Sequence, residues 1–449
     1  MILSSVKDGR VRVILRLLLL LSLFVFLFRP DSFSTSYVNI CFIIALIAVF
    51  FYYQSQKKDN FFEFDTIFII ILLICFFAYP VFFHSKDFDY SFFTVNDNLN
   101  ERRISMATAI SAIAICSYCL GALSAKSLKP KAKVFNQIIS TKGLTLLFSV
   151  LTLFALLNGS VQYYQDLYHE GLEGAQYSRL IGQVTAITKA LFFVLIGTEA
   201  YNYNNGKRKV NWLFLITALT DASLMLYAGN RTLASEYLLA IFFFVFYYKR
   251  KIRLIELLGM LVLAFMGMYF IQLFRQGVEV SSYFGIQIIS DFMSPYRMNL
   301  VAIDYVDSNN YSFGVSLFGP ITGIIPGFSR LLQLIGVDIS FFDSASVFTT
   351  YEQGKIHTSG LGTSLQADAY LAFGVIGVIF TFYFIGKFAK VSFDRMRQGS
   401  YYYFIIYAIF IGHSVYWVRS LVFIFSNMLV WGVLIAYLNF NNSTSKRLQ

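Results

Sequence analysis

Charge is scarce in this sequence. Of its 449 residues 14% are Asp, Glu, Lys or Arg, while 57% are hydrophobic; a soluble domain carries about a quarter charged residues. That excludes a water-soluble fold for the bulk of the chain, and with it any domain count from length. Cysteine occurs four times, at Cys41, Cys75, Cys116 and Cys119, each inside an apolar run. Burial there argues for packing rather than a redox pair or a metal site. Phosphate-binding and nucleophile signatures are missing: no Walker loop, no Rossmann glycine pattern, no nucleophile elbow. His84 and His169 have no acidic or cysteine partner at ligand spacing, so no metal is expected. Strand alternation with short turns is absent, which excludes a membrane β-barrel. No small-residue cleavage site follows Lys7, Arg10, Arg12 and Arg16, so the N-terminus reads as a first span rather than a cleaved signal.

What the chain does have is apolar runs long enough to cross a hydrocarbon core of roughly 30 Å. Twelve are predicted, at 11–28, 37–53, 64–83, 104–124, 143–158, 181–202, 211–229, 232–248, 254–274, 365–386, 401–417 and 419–438. The net charge of +11 does not indicate nucleic acid, because the cations sit in short clusters between spans. With the N-terminus placed in the cytoplasm, 24 of the 36 Lys and Arg fall inside and 11 outside, with Lys189 within a span. This is the positive-inside pattern, and the even span count puts both termini in the cytoplasm. The fold class expected is an all-α polytopic membrane protein, one transmembrane domain over 1–449. No repeat relates its halves, which weakens a repeat-built transporter.

One long polar interruption, Arg275 to Ser364, separates spans 9 and 10. It holds three of the six prolines, Pro295, Pro320 and Pro326, and ten of the 28 glycines. Within it, Tyr283 to Val306 mixes apolar residues with Asp291, Arg297, Asp304 and Asp307, as an interfacial helix would. The interruption carries four cations against seven acids, so it is no diffuse basic surface. Arg275, Arg297 and Arg330, together with Arg231 in the tight turn after Gly229-Asn230, suit a defined anionic ligand. A guanidinium grips phosphate oxygens by paired hydrogen bonds. Each arginine taken alone also fits a headgroup anchor. Asp221 lies ten residues before Arg231 in the same span, where an acid is expensive and faces the protein interior or a wet cavity. With Glu236 it suggests a hydrated pocket near Arg231. His357, beside Lys355, Thr358 and Ser359, is the one histidine of the interruption and a candidate base. A loop histidine without a role is the alternative. Lys189 is the one cation clearly mid-span, and His413 reads as structural.

These stretches resemble the O-antigen polymerase (Wzy) family of oligosaccharide repeat-unit polymerases, with the enterobacterial common antigen polymerase type as the nearest pattern. Leu-Met-Leu-Tyr-Ala-Gly229-Asn230-Arg231-Thr232 resembles the family's Gly-Gly-Thr-Arg or Gly-Ser-Arg turn before an apolar span. Arg275 closes a later span, as a family basic residue does. Ser294-Pro295-Tyr296-Arg297-Met298-Asn299-Leu300 resembles a Ser-Pro-Trp-Glu-Asn-Leu stretch, with Arg297 where that pattern has an acid. Ile325-Pro326-Gly327 and His357-Thr-Ser-Gly-Leu-Gly-Thr-Ser resemble the family's outer-loop stretches. The arginine–ten residues–glycine pattern of some family loops does not occur here. The resemblance implies a GT-C-like polymerase/ligase architecture at the outer face of a bacterial inner membrane, with the interruption as a periplasmic loop. It implies an undecaprenyl-pyrophosphate-linked glycan as donor and a second lipid-linked repeat unit as acceptor. No cofactor, metal or nucleotide would be needed. A chain-length regulator and a flippase would be partners, besides membrane lipid. Arg231, Arg275, Arg297 and Arg330 would hold pyrophosphate, with His357 or Asp221 as base.

Three other readings compete. An O-antigen ligase would use the same donor and similar spans. A flippase needs cations lining a cavity within the spans, and here they collect at the outer ends. A non-enzymatic scaffold leaves Asp221 and the arginines without a purpose.

Overall fold

A computed structural model describes residues 2–56, 58–84, 101–125, 138–169, 178–207, 209–276, 284–325, 327–354 and 360–445. They form helices and no strand. The helices are α1 Ile2–Leu27, α2 Thr35–Gln56, α3 Phe64–Ala78, α4 Glu101–Ser124, α5 Lys142–Leu157, α6 Ser160–His169, α7 Ser178–Asn204, α8 Trp212–Tyr227 and α9 Arg231–Lys249. They continue with α10 Leu254–Gln276, α11 Phe284–Asn309, the short α12 Phe318–Thr322, α13 Phe328–Leu334 and α14 Ser344–Gln353, then α15 Leu365–Arg397, α16 Tyr401–His413 and α17 Ser426–Ser445. Each of the twelve predicted spans contains a helix, though 401–417 and 419–438 are both cut short by a connection at 414–425. Among the described residues six helices are long and apolar enough to cross a membrane, and four shorter apolar ones accompany them. α3 runs on through a π-turn, Tyr79–Phe83, to the end of its predicted span.

One end of the bundle, the loop end, carries the described residues of the stretch 284–364. There the structure departs most from the sequence reading. The predicted interfacial segment is indeed helical, as α11, yet it does not lie on a surface. Phe292, Met293, Tyr296, Leu300, Ala302 and Ile303 are buried, and α11 packs against α3, α4 and α15. Its Tyr296 hydroxyl donates to the Ile104 carbonyl of α4 (2.9 Å). The acids that made the segment look interfacial are partly answered from within: Asp304 pairs with Arg103 of α4.

α4 and α15 form the centre of the molecule. They approach closely because glycine sits at the crossing. A Cβ on Gly386 would lie 2.2 Å from the Tyr118 carbonyl oxygen. Between helices in lipid, such small residues replace the hydrophobic drive with close backbone contact. Gly386→Ala is therefore expected to destabilise the protein by about 1–3 kcal/mol. Gly432→Ala, where the nearest atom is 3.5 Å away, is expected to be tolerated. Thermal unfolding of both variants in detergent checks this, and equal midpoints would reject the contact as a determinant.

At the other end, the turn before α3 is fixed by a buried ion cluster. Lys58 reaches Glu63 (3.1 Å) and Asp65 (3.5 Å), and Tyr118 donates to Asp65 (3.1 Å). Burial alone would pull the Lys58 ammonium down. The facing carboxylates of Asp65 and Glu63 reverse this and hold it well above its ordinary value.

Candidate functional site

Arg231 is the first residue of α9. The preceding turn is built by Gly229, at φ +89°, and by Asn230, whose side chain caps α9 by accepting from the Leu233 N–H (3.2 Å). The turn thus delivers a cation to the loop end of a helix whose free N–H groups also favour an anion. Below Arg231 runs a groove of about 430 Å³ between α9, α10 and α3, lined by Leu226, Leu239, Phe242, Leu261 and Phe265 among others. From Arg231 to Phe246, the deepest α9 residue in its wall, is about 22 Å at 1.5 Å per residue. The arrangement is a long apolar trough with a guanidinium at one end.

A second guanidinium lies one ring behind the groove wall, and the sequence reading did not single it out. The predicted spans 401–417 and 419–438 leave a single residue between them; the structure opens that connection to the twelve residues between His413 and Ser426. Arg419 closes a 3₁₀ turn there. It donates to the Ser294 hydroxyl (3.3 Å) and lies 5.8 Å from the centre of the Phe292 ring. Phe292 in turn packs at 4.2 Å on Phe265 of the groove wall, and Val415 of the same connection lines the groove. The available signal was a lone arginine at the first position of the last predicted span, on the loop side.

The remaining candidates are dispersed. Arg275 falls in the last turn of α10 at the same end, and its side chain lies outside the described residues. Arg297 is buried and paired with Glu352 of α14 (3.7 Å). Arg330 is exposed on α13. His357 lies outside the described residues. Five residues before it stands Glu352, and beyond it Leu361 donates its N–H to Thr349 of α14 (3.0 Å).

Asp221 is buried and faces Tyr237 across the α8–α9 contact, so the expected inward orientation holds. No acid is among the residues that line the groove beside Arg231. Glu236 is engaged elsewhere. Lys189 of α7 pairs with it, and His413 Nε2 of α16 lies 3.4 Å from its other oxygen. His413 is kept in that orientation because its Nδ1–H donates to the Ile409 carbonyl (2.8 Å). Three helices thus contribute one ionisable group each to a cluster sealed from the groove. The turn of α9 explains it, since Ser235 faces the groove and the next side chain points about 100° away.

Two buried polar joints hold the loop end rigid. Ser364 caps α15 by accepting from the Ala367 N–H (2.9 Å) and donates to Asn299 of α11 (2.5 Å). Asp368 accepts the Val422 N–H (2.8 Å) and so ties the α16–α17 connection to α15.

The profile of the O-antigen polysaccharide polymerase Wzy family matches residues 11–445. The chain belongs to this family. No curated protein and no solved structure matches it. This Wzy polymerase is a polytopic membrane protein with glycosyltransferase-type activity, and it joins repeat units into O-antigen polysaccharide. The ligase and flippase readings are not favoured. An apolar trough with an arginine at its loop end suits an anionic amphiphile.

Proposed function

We propose that the polymerase uses repeat units carried on undecaprenyl pyrophosphate, at the periplasmic face of the inner membrane, with both termini cytoplasmic. The observation that carries this reading is the α9–α10 groove with Arg231 at its loop end and Arg419 one ring behind its wall. The isoprenoid chain would fill the trough and the pyrophosphate would meet the guanidinium groups. Arg275, at the same end of α10, would join them, while Arg297 and Arg330 would bind more peripherally.

In the reaction, a hydroxyl oxygen of the acceptor sugar attacks the anomeric carbon of the donor. The bond from that carbon to the pyrophosphate oxygen breaks, and the lipid pyrophosphate leaves with the electron pair. Arginines aimed at the leaving oxygen stabilise charge that grows in the transition state. The acceptor proton passes to a base, for which we propose His357, with Asp221 or Glu352 as the next candidates. The donor is already activated by its pyrophosphate, so neither nucleotide nor metal is required. A chain-length regulator and a flippase are proposed partners. The whole chain forms one transmembrane domain, with 275–364 as its periplasmic part.

Purified polymerase supplied with synthetic lipid-pyrophosphate repeat units in EDTA, without nucleotide sugars, is expected to build a polymer ladder. Failure under those conditions, with activity restored by a divalent metal or nucleotide sugar, would overturn the reading. His357→Gln is expected to slow the ladder by about 10²- to 10⁴-fold, the usual contribution of a positioned base. Wild-type rates in that variant would move the base elsewhere.

Orientation is checked separately. A cysteine at Ser308, exposed at the end of α11, is expected to react with a membrane-impermeant thiol reagent added from the periplasmic side. Labelling only after the inner membrane is opened would invert the topology.

A further inference from the structure

The end of the bundle opposite the loop end holds a pocket of another kind. It encloses about 230 Å³ where α7 ends, α8 begins and α9 ends. That is below the roughly 300–1,000 Å³ of a pocket that takes in a whole small ligand, so only part of a larger molecule enters. Its inner wall is apolar, with Phe214, Leu215, Ile241 and Phe244. The lining also holds three lysines, Lys207, Lys209 and Lys249, and one acid, Glu199.

The acid is already answered. Lys207 donates to both Glu199 carboxylate oxygens (3.1 and 3.0 Å), and the Thr141 hydroxyl donates to one of them (2.6 Å). Lys209 and Lys249 are exposed, and among the described residues no acid pairs with either. Two uncompensated positive charges therefore stand at the mouth of an apolar cavity. Basic residues between spans are expected at this end of the chain; these two differ from the rest in lining a cavity.

Aromatic residues fix the level at which the pocket opens. Trp212, the first residue of α8, is exposed and lines it. Tyr203 and Tyr248 line it as well, with ring centres 4.7 Å apart, and the Tyr248 hydroxyl donates to the Ala200 carbonyl (2.9 Å). Trp and Tyr collect where hydrocarbon meets headgroups. The apolar wall thus lies at acyl-chain level and the lysines at phosphate level. The start of α8 is held in place, since the Asn211 side chain accepts from the Phe214 N–H (3.3 Å) and donates to Thr145 of α5 (2.8 Å).

We infer that the pocket between α7, α8 and α9 binds an anionic phospholipid. Lys209 and Lys249 hold its phosphate, and the upper part of one acyl chain lies against Leu215, Ile241 and Phe244. A zwitterionic lipid offers the same chain, but its own ammonium offsets the phosphate, so the two lysines favour a headgroup of net negative charge. Bound there, the lipid joins the ends of three helices, two of which, α8 and α9, meet at the turn before Arg231. The inference needs only that the chain spans a membrane, and it stands apart from the lipid-pyrophosphate reading.

The test uses the full-length protein in detergent, with thermal unfolding and native mass spectrometry in the presence of phosphatidylglycerol, phosphatidylethanolamine or glycerol 3-phosphate. Phosphatidylglycerol is expected to raise the unfolding midpoint and to remain bound, and phosphatidylethanolamine is not. Lys209→Gln/Lys249→Gln is expected to weaken phosphatidylglycerol binding about tenfold or more, because each cation near an anionic headgroup adds to the attraction. Its midpoint in phosphatidylethanolamine should match the wild type, which shows that the variant is folded. Lys251→Gln/Arg253→Gln removes the same charge from the same end outside the pocket and is expected to leave phosphatidylglycerol binding unchanged. Equal response to the two phospholipids assigns the pocket to bulk lipid and overturns the site. Undiminished binding in Lys209→Gln/Lys249→Gln, or an equal loss in Lys251→Gln/Arg253→Gln, places the preference on the surface at large and also overturns it. Stabilisation by glycerol 3-phosphate that matches phosphatidylglycerol makes this a phosphate site without a chain and overturns the lipid assignment.

Discussion

Arg231→Ala is expected to lower polymer formation by about 10²-fold or more, the scale on which removal of one transition-state donor acts. The side chain stands where an apolar trough meets the loop end of the bundle, the position a lipid-linked pyrophosphate would occupy with its tail in the trough. Negative charge on the leaving oxygen grows as the glycosyl bond breaks, so a guanidinium there binds the transition state more tightly than the bound donor. Arg231→Lys should recover activity only in part, because an ammonium keeps the charge and loses the planar fork. Arg419→Ala should behave in the same direction, since its guanidinium sits over the ring that packs on the groove wall. Polymer length in a deletion strain complemented with each variant, normalised to the amount of protein in the membrane, measures both. Wild-type chain lengths from Arg231→Ala at normal protein levels would remove it from the site.

The second large effect concerns folding rather than chemistry. Lys189→Ala should cost about 3–5 kcal/mol, because it leaves the Glu236 carboxylate buried without its cation. Glu236 has almost no contact with solvent, and its remaining neighbour His413 already spends Nδ1 on the Ile409 carbonyl. The double variant Lys189→Met/Glu236→Gln, which deletes both charges, should regain much of the loss. Polar groups of this kind in a membrane interior are expensive and mark either function or a fixed helix register. Thermal unfolding in detergent separates the single from the double variant. If Lys189→Ala unfolds with the wild type, the cluster does not hold α7, α9 and α16 together.

The sequence alone was sufficient for the class of the molecule and for most of its helices. Apolar length is a local property, and each of the twelve runs contains a helix, since lipid leaves the backbone no partner but itself, though the last two runs are broken at 414–425. It was also sufficient for the turn at Arg231, where Gly229 and Asn230 dictate the backbone directly, and for the inward orientation of Asp221. It carried the resemblance that the profile over residues 11–445 turned into membership of the Wzy family. Tertiary structure decided the rest, because those features depend on which helices meet. α11 looked interfacial from its mixed composition. It is buried because Arg103 on α4 and Glu352 on α14 answer its charges, and a pairing between segments far apart in the chain leaves no periodic trace. Glu236 looked like a partner for Arg231 from proximity in sequence. It faces Lys189 and His413 instead, because one residue along a helix changes the face by about 100°. Arg419 was hidden at a span boundary, since hydropathy does not register a break whose residues are themselves largely apolar. The trough and the lysine-rimmed pocket, finally, exist only between helices, and no stretch of sequence contains either of them.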